Sequence, residues 1–142
     1  MTSRTVPVVD RSRALGLWLF WVICVAVWTT ALLTLFPVEI SRQVLPENLR
    51  FPTAKTLHVS AYAFLAFLTV LLPARGRVRW LLIAFLSLHA FATEYLQTFI
   101  GRGGALADVG LDHIGILLGL LIGWRWWREP GLARGEQEHN ES

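Results

Sequence analysis

The chain has 142 residues, of which 54% are hydrophobic and only 16% charged, and its mean hydropathy is +0.50. This composition excludes an ordinary soluble domain and is typical of a single membrane domain, because apolar runs of about 20 residues cross the bilayer core as helices. The net charge of +3 does not indicate a nucleic-acid partner, since the arginines lie between apolar runs rather than in a basic patch with interleaved aromatic residues.

The apolar runs predict an all-α polytopic membrane protein with four transmembrane helices. In chain order the runs cover residues 15–36, 56–72, 80–100 and 109–127. The first run ends at Pro37 and is longer than the apolar core of a signal peptide, so we interpret it as a retained helix. Backbone groups in lipid must pair within each segment, and the alternating polarity of barrel strands is absent, which favours helices.

The polar segments around this membrane domain predict its orientation. We expect residues 1–14 to be an N-terminal segment, residues 15–127 the membrane domain, and residues 128–142 a polar, disordered tail. Arginines precede the first run, fill the loop between the second and third, and follow the fourth. Because basic residues favour the cytoplasmic side, both termini are expected inside.

Polar side chains are expected to converge on the opposite, outer side of this topology. They open the second span, close the third, and open the fourth after a short loop. The residues are Lys55, His58, Glu94, Gln97, Arg102, Asp108 and Asp112. Since they come from segments more than fifty positions apart, the sequence predicts one outward-facing polar site rather than scattered polar residues.

In the fourth span, the two carboxylates share a helix face with glycines. At 100° per residue, Asp108 and Asp112 align with Gly115 and Gly119, and Gly123 lies slightly off that face. Glycines at this spacing let a second helix approach closely. We therefore expect the carboxylates to lie above the stripe that packs inward.

In the third span, Glu94, Gln97 and Thr98 share one face, with Ser87 in line below them. Glu94 lies roughly 9 Å below the outer end, at 1.5 Å per residue. A charge that deep costs about 2.5–3.5 kcal/mol, which favours a functional role. The alternative is that Glu94 pairs with a cation and only links helices.

The second span carries Lys55, His58 and Tyr62 on one face. His89 and His113 are weaker candidates, because each points away from the neighbouring carboxylate of its own helix. Structural explanations also stay open for the charged residues: Asp108 has a position that suits a helix N-cap, and the cations suit interfacial anchors.

The chemistry of these residues leaves several reactions open. His58, Glu94 and Asp112 offer a mixed metal site, but no metal-ligand spacing is present, so metal and cofactor remain unassigned. Nucleophilic catalysis is not expected, because Cys24 is buried on the wrong helix and Ser60 has no obvious base. Acid–base chemistry by two carboxylates stays open, as does binding of a phosphate or carboxylate by the cations.

Three stretches of the chain resemble the VanZ-like family of small bacterial membrane proteins. They are KTLHVSAYAFLAFL (55–68), EYLQTFIGR (94–102) and DVGLDHIGILLG (108–119). The family shows Asp-Lys before His, Glu-x-x-Gln before Arg, and Asp-x-x-x-Asn followed by glycines. The characteristic positions are occupied here by Lys55, His58, Glu94, Gln97, Arg102 and Asp108. Ala54 stands where the family usually has Asp, and Asp112 where it usually has Asn.

The resemblance implies a multi-pass protein of the bacterial inner membrane. The family's founding member is linked with low-level resistance to teicoplanin, so our leading hypothesis is interaction with a lipid-linked cell-envelope component at the outer leaflet, affecting glycopeptide sensitivity. The alternatives are a membrane-embedded enzyme acting on a lipid-linked or phosphate-bearing substrate, with Glu94 or His58 as proton carrier, and a structural subunit. Membrane lipids are expected partners, and an oligomer stays open.

Overall fold

The computed structural model describes residues 11–99 and 106–128, and throughout these ranges the chain folds into helices without strands. The predicted all-α class is therefore confirmed. The described helices are α1 (Arg11–Leu33), α2 (Phe36–Val44), α3 (Glu47–Leu71), α4 (Gly76–Phe99) and α5 (Leu106–Arg128). The predicted outer loop with Arg102, most of the predicted N-terminal segment and nearly all of the predicted tail lie outside the described residues.

Three of the described helices, α1, α3 and α5, are long and apolar enough to cross a bilayer. Their outward faces carry large apolar side chains that remain exposed in the isolated chain, such as Ile23, Phe64 and Leu121. A water-soluble bundle would bury such residues, whereas a lipid-facing surface requires them. The chain is thus a membrane protein.

Several helix boundaries differ from the sequence prediction, and the largest differences lie between the first and second predicted spans. The first helix ends at Leu33, and Pro37 does not close it but lies in the first turn of the short helix α2. Proline fits this position, because its φ is already helical and the missing N–H would have no partner there. Helix α3 starts at Glu47 instead of residue 56 and contains Pro52. The predicted outer segment is therefore largely helical.

The α3–α5 interface is the closest helix contact in the described chain. Gly115, Gly119 and Gly123 face α3 along successive turns. A Cβ atom added to Gly119 would lie 2.8 Å from the Cβ of Ala66, and one added to Gly123 would lie 2.9 Å from a methyl group of Val70. These separations are below any normal van der Waals contact, so α5 packs with its bare backbone against α3.

Apolar side chains of α1, α3 and α4 complete the core. Trp21 of α1 is buried and donates its indole N–H to Thr69 of α3, at 2.9 Å. Arg79, which the sequence suggested was a loop residue, is the fourth residue of α4; it is only 8% exposed and donates to the carbonyl of Leu72 at 3.3 Å. A cation at the end of α3 complements the helix dipole, so Arg79 stabilises the α3–α4 connection.

We expect Gly119→Ala to destabilise the protein, because the added methyl group meets the backbone of α3, which cannot move aside as a side chain would. Overpacking of this kind costs about 1–3 kcal/mol, visible as a lower thermal midpoint in detergent. Gly110→Ala is the matched control: nothing lies within 4 Å of its added Cβ, and the better helix propensity adds up to about 1 kcal/mol. Equal midpoints for the two variants would contradict the close α3–α5 contact.

Candidate functional site

One ion pair and one histidine–carboxylate hydrogen bond connect α3 to α5 above the glycine stripe. The Nζ of Lys55 contacts the Oδ1 of Asp108, and the Nδ1 of His58 donates to the Oδ1 of Asp112 at 2.9 Å. Residues three apart on α3 meet residues four apart on α5, since both spacings correspond to about one helical turn. The close approach at Gly115, just below, brings both pairs within reach.

The two pairs differ in their access to solvent. The side chains of His58 and Asp112 are 10% and 1% exposed, while those of Lys55 and Asp108 are 24% and 14% exposed. The Oδ2 of Asp112 has no hydrogen-bond partner among the described residues. Because a buried carboxylate without a partner is strongly destabilising, Asp112 depends on its contact with His58.

The His58 ring is held from a third helix as well. Trp28 of α1 meets it edge to face, with ring centroids 5.7 Å apart, and meets Tyr62 in the same manner at 6.3 Å. With its Nδ1 directed at Asp112, the imidazole keeps Nε2 for another partner. This arrangement, a carboxylate orienting an imidazole whose second nitrogen is available, suits proton transfer or hydrogen bonding to a ligand.

Glu94 and Gln97 of α4 are both buried, at the end of α4 that lies toward the same side. The amide of Gln97 donates to the carbonyl of Leu32 at 3.1 Å, which satisfies a carbonyl of the last turn of α1. Thr98 was predicted on the same face, but it is exposed and donates to the carbonyl of Tyr95 within its own helix. The inward face of α4 is thus narrower than the sequence suggested.

A series of hydrogen bonds that the sequence did not predict connects α3, α4 and α1 below these two contacts. The hydroxyl of Tyr62 lies 2.9 Å from the Nδ1 of His89, and the Nε2 of His89 lies 2.8 Å from the hydroxyl of Thr29. Thr29 donates its own proton to the carbonyl of Val25. Thr29 therefore accepts from Nε2–H, and when the ring is neutral its Nδ1 accepts from the hydroxyl of Tyr62.

His113 is fixed in the same way between α4 and α5. Its Nδ1 lies 2.7 Å from the carbonyl of Val109 and must donate, so a neutral ring accepts at Nε2 from the hydroxyl of Ser87, 2.6 Å away. The angle between each histidine and a carboxylate of its own helix does not indicate these contacts. The useful signal is a hydroxyl residue on a neighbouring helix, Thr29 of α1 for His89 and Ser87 of α4 for His113.

Several expectations have a definite structural outcome. Asp108 is the third residue of α5 and pairs with Lys55, so it is not an N-cap. Within residues 11–99 and 106–128, no three His, Cys, Asp or Glu side chains are placed to hold a metal ion, and the mixed site with Glu94 is therefore not formed by them. Arg102 lies outside the described residues.

Comparison with known proteins identifies no relative: no protein-family model, curated protein or solved structure matches the chain. The chemistry of the site therefore carries the functional argument. Its groups suit two tasks, which are exchange of the Lys55 ion pair for an external anion and proton transfer at His58.

A double-mutant cycle tests the coupling of the buried pair. Asp112→Ala alone should cost about 3–5 kcal/mol, because it strips His58 of its partner inside the bundle, and His58→Ala alone should be similarly costly. We expect the double variant to lose clearly less than the sum, measured as unfolding in detergent. The exposed pair Glu39–Gln43 of α2 is the control, where alanine substitutions should be additive. Additivity at His58 and Asp112 would contradict an interacting pair.

Proposed function

We propose that the chain is a VanZ-like protein of the bacterial inner membrane that binds a lipid-linked cell-envelope component at the outer leaflet. The binding region, here called the outer polar site, consists of Lys55, His58, Glu94, Gln97, Arg102, Asp108 and Asp112. The observation that carries the proposal is the pair of cross-helix contacts between α3 and α5. Polar groups inside a membrane bundle are costly, and a functional role is their default explanation.

The proposed topology has four spans with both termini in the cytoplasm. Helix α4 supports a fourth span, since its 24 residues extend about 36 Å at 1.5 Å per residue, enough for a core of roughly 30 Å. Its arginines lie near its start and Glu94 near its other end, which leaves an apolar middle. Arg75 and Arg77 are exposed at the start of α4, opposite the outer polar site, as expected for the cytoplasmic side.

Ligand binding proceeds by exchange at the more accessible ion pair. Lys55 is partly exposed and is held by Asp108 and by the ring of Phe51, 4.9 Å from its Nζ. An incoming phosphate or carboxylate displaces Asp108 from Lys55 and gains a charge-assisted hydrogen bond. The buried His58–Asp112 pair keeps the helices in register during this exchange. By its resemblance to the VanZ-like family, the protein would thereby alter sensitivity to teicoplanin-type glycopeptides.

The orientation of His58 favours a second candidate function, a membrane-embedded enzyme. A carboxylate on Nδ1 and an available Nε2 would let His58 accept a proton from a phosphate-bearing or lipid-linked substrate. The variant Asp112→Asn distinguishes an enzyme from a protein that only binds its ligand. The amide still accepts from Nδ1–H but cannot stabilise a protonated ring, so an enzyme would lose turnover while ligand affinity changes little.

The binding proposal is tested by native mass spectrometry, with lipid and metal analysis, on protein purified gently from its own membranes. We expect one envelope lipid to co-purify with the unmodified protein and its occupancy to fall at least several-fold in Lys55→Gln, because the amide carries no charge. Expression in a susceptible host should raise teicoplanin resistance, and the same variant should abolish the increase. Thr98→Ala is the matched control, since Thr98 is exposed at the same end of α4.

The contrary result is a protein that carries no specific lipid, whose Lys55→Gln variant only unfolds at lower temperature. That outcome would leave the polar cluster a purely structural role.

The topology is tested by fusing alkaline phosphatase after Val44 and green fluorescent protein after Arg128. Four spans predict an active phosphatase, because the α2–α3 segment is outside, and a fluorescent C-terminus. If α4 did not cross and only α1, α3 and α5 did, the C-terminal fusion would be exported and dark. An inactive phosphatase after Val44 would contradict the proposed orientation.

A further inference from the structure

A cavity of about 110 Å³ lies between α1, α2 and α3, and His58 forms part of its wall. Most of the lining is aliphatic, with Ala31, Leu32 and Leu57 as examples. The ionisable lining residues are Arg50 and His58, and none of the carboxylates in residues 11–99 and 106–128 lines the cavity. The cavity therefore combines an apolar wall with two groups that hydrogen-bond an anion.

Arg50 is held in place by the backbone of the α2–α3 turn. Its Nε donates to the carbonyl of Leu45 at 3.0 Å, and its Nη2 donates to the carbonyl of Arg42 at 2.9 Å. A guanidinium has five N–H donors, so the remaining donors are available to a ligand. Because two bonds already fix the group, little side-chain entropy is lost when an anion binds.

His58 presents the complementary group. Its Nδ1 is directed at Asp112 on α5, and Nε2 is the nitrogen left for the cavity. As an imidazolium paired with Asp112, it donates Nε2–H to an anionic oxygen; as a neutral ring, it accepts from the hydroxyl of a protonated phosphate or carboxyl group. Trp28 packs against the ring and also lines the cavity, which restricts the orientations of His58.

Helix α2 forms the outer wall and has three distinct faces. Pro37, Val38 and Ser41 line the cavity. Phe36 and Val44, two turns apart on a second face, are exposed apolar residues, while a third face is polar. A short helix with an exposed apolar face lies in the membrane interface. We therefore expect the cavity to lie at the depth where lipid head groups meet hydrocarbon.

We propose that this cavity binds the anionic head of an amphiphile, with its phosphate or carboxylate between Arg50 and His58 and its hydrocarbon chain extending into the outer leaflet. A cavity of 150 Å³ admits benzene, so about 110 Å³ admits an anionic group with a few carbons rather than a whole lipid. This inference rests on the proposed function, and it names the class of ligand that would bind at His58 of the outer polar site. It adds Arg50 and Trp28, which the outer polar site does not include.

A thiol-protection experiment tests the proposal. Ala54 lines the cavity and is exposed, so Ala54→Cys in a Cys24→Ala background gives one reactive thiol at the cavity. In phosphatidylcholine nanodiscs, decyl phosphate should slow its labelling by a methanethiosulfonate at least five-fold. Arg50→Gln should remove most of this protection, because the cation is lost. Arg42→Gln, an exposed cation on α2 whose side chain does not line the cavity, should leave it unchanged.

The comparison probes separate the sources of binding. Decyltrimethylammonium, a cationic amphiphile, and inorganic phosphate, a free anion, should each protect poorly. Equal protection by either probe, or protection that survives Arg50→Gln, would overturn the proposal. Absence of protection by decyl phosphate together with a Lys55-dependent ligand would overturn the cavity alone and leave the proposed function standing. His58→Gln is a second variant in which protection by decyl phosphate should also fall. Its folding is checked by size-exclusion elution and by the labelling rate of the thiol without a probe.

Discussion

The contact between α3 and α5 is the constraint on which the rest of the bundle depends. Three glycines remove every side chain that would separate the two backbones, and the distance they allow is short enough for Lys55 and His58 to reach carboxylates on the opposite helix. A longer residue in the stripe would move the helices apart and leave Asp112 buried without a partner. Packing and electrostatics therefore depend on each other. The Lys55–Asp108 and His58–Asp112 contacts need the close approach that the glycines allow, and these contacts in turn set the register of α3 against α5, which the glycines alone do not specify.

Much of this arrangement follows from helix periodicity. The residues of the α3–α5 contacts come from regular helical spacing within long apolar runs, and such spacing fixes which side chains share a face. Periodicity does not say where an amphipathic stretch folds back, so the short helix α2 and the early start of α3 escaped prediction. The rule that proline ends a helix failed at Pro37 because proline also begins helices.

The histidine contacts show a different limit. Tyr62, His89 and Thr29 lie on three helices, and their meeting depends on the relative rotation and depth of each helix. A sequence gives the angle of a side chain about its own helix but not the angle between helices. Thr98 failed for a related reason, since the buried face of α4 is set by what α1 places against Gln97.

The direction of the hydrogen bonds around His89 has a mechanical consequence. With a neutral His89 ring, Tyr62 of α3 donates to His89 of α4, His89 donates to Thr29 of α1, and Thr29 donates to a backbone carbonyl of α1. Each helix is thereby hydrogen-bonded to the next. Rotation of α1 or α4 about its axis by one residue position, 100°, would break these hydrogen bonds and leave polar atoms buried without partners. These hydrogen bonds therefore fix α1, α3 and α4 relative to one another. Helix α2 takes no part in this series of hydrogen bonds and is joined to α3 by the two bonds that Arg50 donates to the carbonyls of Leu45 and Arg42.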